Sequence, residues 1–219
     1  MVDFHLEPRV KSSNQLVLDM LNTKYVIGQV KDDNGQPFIA SMKRESALGP
    51  AWIVSNVNFV DDANHEMEAL NVENGFDPKN IAIVDNRYNK LVGEVTKKDE
   101  AAFVEMTDYK PNKLEYNFSS QKDELVIFSE IFYKGGWQAY IDDKPVNHFR
   151  ANYLLRGLKV PAGDHKIRFE FSRSSYSIGS VISLISSLII IGLGVYLIYL
   201  TFFRKSFQGQ DLEEEALQL

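Results

Sequence analysis

The sequence predicts a mainly β protein: an antiparallel β-sandwich with short helices, followed by one C-terminal transmembrane helix. Three observations predict it. Between residues 102 and 171, strand-like segments recur at roughly 8–12-residue spacing with turn residues between them. Residues 174–203 form a run of 30 without one Asp, Glu, Lys, Arg or His. Charge lies almost wholly upstream of that run: the first 173 residues carry 22 basic and 26 acidic side chains, the last 46 only 2 and 4. The mean hydropathy of −0.23 is therefore an average over two unlike parts.

Taken in order, Ser13 can cap a helix over 14–21, where Leu16, Val17, Met20 and Leu21 form an apolar stripe. Residues 25–30 read as a strand, closed by the turn signal Asp32-Asp33-Asn34-Gly35, with a return strand over 38–42. A further strand spans 52–60, after which Asp61 or Asp62 caps a short helix containing Glu66 and Leu70. Phe76-Asp77-Pro78 ends that helix, and 81–84 is a short buried strand. Strands then follow over 102–107, 113–118, 124–132, 137–141, 146–150, 153–159 and 166–171. Asp142-Asp143 is a tight turn between two of them, and Pro161-Ala162-Gly163 suits a turn with Gly163 at positive φ. This spacing favours an antiparallel sandwich over a βαβ sheet.

The uncharged run is long enough to cross a bilayer, since about 20 apolar residues suffice. Tyr176 at one end and Tyr196, Tyr199, Phe202 and Phe203 at the other suit the two interfacial zones. Gly179, Ser183 and Ser187 are spaced i, i+4, i+8, with Gly194 seven residues on. That stripe would let another transmembrane helix approach closely, although Gly and Ser are also common in membrane helices generally. Counting Arg204 and Lys205 against Lys159, Lys166, Arg168 and Arg173 would put the large domain in the cytoplasm, but folded domains weaken that rule. Residues 1–24 hold no apolar signal-peptide core. The chain thus reads either as a tail-anchored protein or as the C-terminal piece of a longer polytopic one.

Composition narrows the chemistry. With no cysteine, a disulfide scaffold, a cysteine-ligated metal and a cysteine nucleophile are excluded. A net charge of −6 argues against nucleic acid as partner. His5, His65, His148 and His165 show no metal-ligand spacing, and no phosphate-loop, dinucleotide or nucleophile-elbow motif occurs, so neither cofactor nor metal is expected. Asp61-Asp62 and Asp142-Asp143 read as caps and turns, because adjacent strand residues point to opposite faces. Glu213-Glu214-Glu215 reads as a solvated end. One constellation suits ligand binding: Tyr133, Trp137, Tyr140 and Tyr153 with Arg150, Asn152 and Arg156 beside them. Aromatic faces stack on sugar rings, and Asn and Arg donate to hydroxyls or phosphate. The alternative is that Trp137 and the tyrosines fill the core while Gly135-Gly136 make a tight bend.

The string Tyr133-Lys134-Gly135-Gly136-Trp137-Gln138-Ala139-Tyr140-Ile141-Asp142-Asp143-Lys144-Pro145-Val146 is distinctive. With Arg150-Ala151-Asn152-Tyr153, Val160-Pro161-Ala162-Gly163-Asp164-His165 and Leu18-Asp19-Met20-Leu21-Asn22-Thr23-Lys24-Tyr25, it resembles the C-terminal region of YfhO-type bacterial membrane proteins, a glycosyltransferase-C-like family. The resemblance runs from about residue 14 to the end of the membrane helix and is strongest over 124–171. Asp143 departs from it, standing where the turn would carry Gly. The resemblance implies a large polytopic protein of the bacterial cytoplasmic membrane, associated with moving a sugar from a polyprenyl-phosphate carrier onto envelope glycopolymers. It implies that 1–173 is an extracytoplasmic β-rich domain, 174–203 the last transmembrane helix and 204–219 a short acidic cytoplasmic tail. The lipid bilayer, the parent protein's other transmembrane helices and a cell-envelope glycopolymer are the implied partners. The family's catalytic acid lies on an early external loop outside these residues, so this part would be accessory and without catalytic residues. A stand-alone membrane-anchored β-sandwich acting as a binding or interaction module is the alternative.

Overall fold

The computed structural model describes residues 14–32, 34–171 and 174–216, the side chains of 174–178 and 202–216 excepted. It divides into two compact units, Met1–Ser172 and Arg173–Leu219.

The first unit is mainly β. Its first described element is α1 (Gln15–Met20), where Asn14 Oδ1 accepts from the N–H groups of Leu16 and Val17 at 3.2 and 3.3 Å. The cap expected at Ser13 lies outside the described residues; the Asn14 amide satisfies the free first-turn donors. β1 (Tyr25–Lys31) and β2 (Pro37–Lys43) make an antiparallel hairpin, its turn pinned by Asp32 Oδ1, which accepts from Asn34 and Gln36.

The single strand expected over 52–60 is two, β3 (Ala51–Val54) and β4 (Asn56–Val60), broken at Ser55. β3 pairs with β8 (Glu124–Ile131), whereas β4 pairs with β5 (Ile81–Asp85). With β11 (Phe149–Ala151) and β12 (Leu155–Val160) they form a six-stranded sheet in the order β3-β8-β12-β11-β5-β4. Neighbouring strands lie about 4.8 Å apart. One intervening residue spans under about 8 Å between its neighbours' Cα atoms, so the sheet has to curl back on itself. β4 and β5 run parallel, a departure from the expected antiparallel pairing. A parallel pair needs a long crossover, and residues 61–80 supply it through α2 (Ala63–Ala69), capped by Asp62, which accepts from Asn64 and His65. A short helix, α3 (Asn89–Val92), follows β5.

The second sheet has the order β10-β9-β13-β7-β6, comprising β6 (Phe103–Lys110), β7 (Lys113–Ser120), β9 (Trp137–Ile141), β10 (Lys144–Val146) and β13 (Gly163–Phe171). The segment expected as one strand over 146–150 again splits, because the chain leaves this sheet after β10 and joins the other at β11. Between β9 and β10, Asp142 and Asp143 take φ of 49° and 64°. Two successive left-handed residues make a type I′ turn, whose twist matches that of the flanking strands.

Period-two alternation sends successive residues of the shared strands into two cores. Ala51, Ile53, Val126, Phe128, Leu158 and Val160 meet Leu114, Tyr116, Phe118, Ala139, Ile167 and Phe169 between the sheets. Trp52, Val54, Leu125, Ile127 and Leu155 instead face Met20, Leu70, Phe76 and Val92 from the helices and loops. β8 is therefore buried on both faces, which explains its unbroken Leu125-Val126-Ile127-Phe128 run.

The second unit is one helix, α4 (Ser174–Ala216). Its apolar span, Gly179–Thr201, is 23 residues long with mean hydropathy 2.6. At 1.5 Å per residue that is about 35 Å, enough for a hydrocarbon core of about 30 Å. Ile182, Leu184, Ile190 and Leu193 lie more than half exposed around it, as in a helix apolar on every side. The backbone stays helical through the Glu213-Glu214-Glu215 segment read as a solvated end.

Candidate functional site

The seven residues of the aromatic and polar constellation fall in three places. Trp137 and Tyr140 share β9, but Trp137 lies on the same side as the inward Ala139 and Ile141, and Tyr140 on the outer one. Trp137 covers Arg156, whose guanidinium stands 4.1 Å from the indole centroid and 5.2 Å from that of Phe169. Arg156 is only 2% exposed, and its Nε donates to the Ile131 carbonyl at 3.0 Å. Phe171 packs 5.3 Å from Trp137 and 6.3 Å from the exposed Tyr133, so an aromatic row runs outward from Arg156. Gly136 lets this row close: a Cβ there would meet Phe171 Cε2 at 2.1 Å. Arg156 Nη1, the Tyr116 hydroxyl and His148 Nε2 are buried without hydrogen-bond partners among the described residues. Burial, helped by the Arg156 charge, holds His148 down at about 4, and burial pushes the Tyr116 hydroxyl up. Burial also raises the Glu130 carboxyl, against the opposing pull of Arg156.

Arg150, Asn152 and Tyr153 lie elsewhere, Arg150 on β11 and the other two on the turn between β11 and β12. Arg150 Nη2 and the Tyr153 N–H donate to the two oxygens of Glu66 at 2.5 and 3.1 Å. Fully buried Asn152 accepts from the Ile83 N–H at 2.8 Å. These bonds hold two successive left-handed residues, Asn152 and Tyr153 (φ 48° and 70°), and tie α2 to the sheet. Burial raises the Glu66 carboxyl, while Arg150 pulls the other way.

Tyr140, in the third place, packs against Arg168, which lines a groove on the outer face of the second sheet. Register places Asn117 opposite Lys166, Glu115 opposite Arg168, and Arg168 opposite Tyr140 across β7, β13 and β9. The Arg168 guanidinium stacks 4.2 Å from the Tyr140 centroid, donates to Asp143 at 2.9 Å and pairs with Glu170. The β9–β10 turn folds Asp142 and Asp143 over the sheet, enclosing a groove of about 600 Å³ with Thr107, Glu115, Asn117, Lys166 and Arg168. A second depression of about 420 Å³ shares Asn117, Asp142 and Lys166 and adds Phe103, Asp164 and His165. Asp142 is a fixed acceptor: Oδ1 takes the Lys166 N–H at 2.9 Å, and Oδ2 lies 2.6 Å from His165 Nδ1. The Lys166 N–H and then His165 hold its carboxyl below the usual range.

Apart from Tyr140 at its border, the sequence reading missed the groove as a site. Its signal was there, as polar alternation through Glu115, Asn117 and Ser119 and through Asp164, Lys166, Arg168 and Glu170. Only the pairing of β7 with the much later β13 turns two solvated faces into one surface. Among the described residues, no group of three or more His, Asp or Glu is placed to hold a metal ion.

On α4, Gly179, Ser183 and Ser187 are exposed and Gly194 is half-buried, and nothing lies within 4 Å of a Cβ built at Gly179 or Gly194. Tyr196 and Tyr199 are also exposed, while the side chains of Tyr176, Phe202, Phe203, Arg204 and Lys205 lie outside the described residues.

A family model described as bacterial membrane protein YfhO matches residues 57–183, more than half of the chain. No curated protein and no solved structure matches it. The matched stretch runs from β4 through both sheets into α4, an apolar helix long enough to cross a bilayer. The chain is accordingly a member of the YfhO family of bacterial membrane proteins.

Proposed function

We propose that this chain is the C-terminal extracytoplasmic module and last membrane helix of a polytopic protein that transfers lipid-linked sugars onto envelope glycopolymers. In this reading residues 1–173 lie outside the bacterial cytoplasmic membrane, 174–203 cross it, and 204–219 form the cytoplasmic tail. The module is accessory rather than catalytic and engages the acceptor glycan. Gly179, Ser183, Ser187 and Gly194 face the parent protein's other transmembrane helices. The observation that carries this reading is the pairing, in a YfhO-family chain, of one bilayer-length helix with a β-domain that bears a polar groove. The open stripe on α4 supports the helix-packing part, since small side chains there leave room for a second backbone.

The aromatic constellation enters this reading through Tyr140 beside the groove and through Tyr133 and Trp137 at the sandwich end. Arg150, Asn152, Tyr153 and Arg156 serve it indirectly, through the turn and the sheets they hold. A stand-alone membrane-anchored binding module is the second reading, favoured by the sandwich forming a compact unit of its own. Sidedness is tested by introducing Ser41→Cys, an exposed site in a chain without native cysteine. A membrane-impermeant thiol reagent is expected to label it in intact cells; labelling only after lysis would overturn the placement. A reading frame that continues upstream with further hydrophobic spans favours the polytopic reading over the stand-alone one.

A further inference from the structure

The geometry points to the groove over β7, β13 and β9 as the binding site for a neutral, hydroxyl-rich glycan, and against a phosphate-bearing polymer. This rests on the reading of the domain as a glycan-engaging module and names the ligand class it takes. A volume of about 600 Å³, extended by the adjoining 420 Å³, lies within the range of small-molecule sites.

The lining chemistry decides the class. Acceptors and donors interleave across the strands: the carboxylates of Glu115, Asp142, Asp143 and Asp164 beside Asn117, Lys166 and Arg168. A sugar hydroxyl both donates and accepts, so it can use both kinds of group. A phosphate oxygen only accepts, and would meet a lining whose four carboxylates outnumber its two fixed cations, Lys166 and Arg168. The cations do not redress this. Arg168 is engaged by Asp143 and Glu170, and Glu115 by Lys113, leaving Lys166 as the groove's uncommitted cation among the described residues.

Uncommitted groups line the same floor. The Thr107 hydroxyl, the Asn117 amide and the Lys166 ammonium make no hydrogen bond among the described residues. Asp142, by contrast, is held through both oxygens and presents a preorganised acceptor. Phe103, half exposed at the margin, supplies an apolar face for the C–H side of a sugar ring. All of these side chains stand on paired strands or on the tight β9–β10 turn, so little ordering is required on binding.

The test uses the full chain in lipid nanodiscs. It is titrated with neutral hexose and N-acetylhexosamine oligosaccharides and, separately, with poly(glycerol phosphate). Asn117→Ala and Lys166→Ala remove uncommitted groups, so both variants should keep the wild-type melting temperature. The expected result is saturable binding of a neutral oligosaccharide, weakened about tenfold by each variant, and no binding of poly(glycerol phosphate). Salt-sensitive binding of poly(glycerol phosphate) instead would overturn the ligand class and leave the glycan-engaging reading standing. Neutral binding that neither variant weakens would overturn the groove and leave that reading standing. Binding of neither probe would overturn both, while the Ser41→Cys labelling reports on sidedness independently.

Discussion

Replacing His148 with Phe should remove an acid-sensitive component of the domain's stability. The imidazole packs 5.2 Å from the Phe132 ring and 5.7 Å from that of Phe169, its Nε2 is buried without a partner among the described residues, and the Arg156 charge is close enough to disfavour a second cation. Burial and that charge lower its pKa from 6.5 to about 4. Above pH 6.5 the ring is neutral whether the chain is folded or not, and contributes no pH dependence. Between 6.5 and about 4 the unfolded chain takes up a proton that the folded one refuses, so stability falls as pH falls; below about 4 both forms bind it and the loss stays constant. At 1.36 kcal/mol per tenfold change in proton affinity, the loss between pH 7.5 and 4.5 is about 2–3 kcal/mol. Glu130 and Glu66, both raised by burial, work in the opposite sense, because protonation relieves them. Comparison with His148→Phe separates the histidine from that background. The measurement is urea unfolding of the full chain in detergent, followed by fluorescence of Trp52 and Trp137, the only two tryptophans. Wild type should lose about 2–3 kcal/mol more than the variant between pH 7.5 and 4.5. Parallel pH profiles would show that His148 is protonated in the folded protein and refute the reasoning.

Other substitutions probe other parts of the structure. Glu66→Ala leaves Arg150 and the Tyr153 N–H without their buried acceptor, and should cost about 3–5 kcal/mol in the same unfolding assay; a loss below about 1 kcal/mol would mean that this contact does not hold the β11–β12 turn. Gly136→Ala puts a methyl 2.1 Å from Phe171, so about 1–3 kcal/mol of overpacking is expected, with increased quenching of Trp137 by acrylamide as the aromatic row opens. Ile190→Arg, at the middle of Gly179–Thr201, should disfavour membrane insertion by about 3 kcal/mol, read as the inserted fraction in a translocon assay; unchanged insertion would count against α4 as a spanning helix.

Local chemistry was legible wherever one or two residues decide it. A helix cap at Asp61 or Asp62, Asp142-Asp143 as a tight turn and Gly163 at positive φ all follow from short-range backbone preferences, and the structure has each of them, with Asp62 as the cap. The apolar length of 179–201 was equally plain, since span length and composition need no neighbour to be read. The break at Ser55 was not legible, because apolar residues recur on both sides of Ser55-Asn56 and only different partners, β8 on one side and β5 on the other, make two strands of one. The split between β10 and β11 has the same cause.

The candidate site marks this division most clearly. Sequence proximity grouped Trp137 with Tyr140, and Asn152 with Arg156, but strand pleating sends Trp137 and Tyr140 to opposite faces of their sheet. Packing then commits Arg156 to Trp137 and Phe169, and Asn152 to Ile83. The groove arises instead where Glu115 and Asn117 meet Arg168 and Lys166. By itself the sequence determined a β-rich, cysteine-free domain joined to one membrane-length helix, because composition, alternation and turn chemistry are local. Tertiary structure alone decided which strands became neighbours and hence which polar side chains share a surface, because strand pairing joins residues far apart in the chain through backbone groups that every residue carries alike.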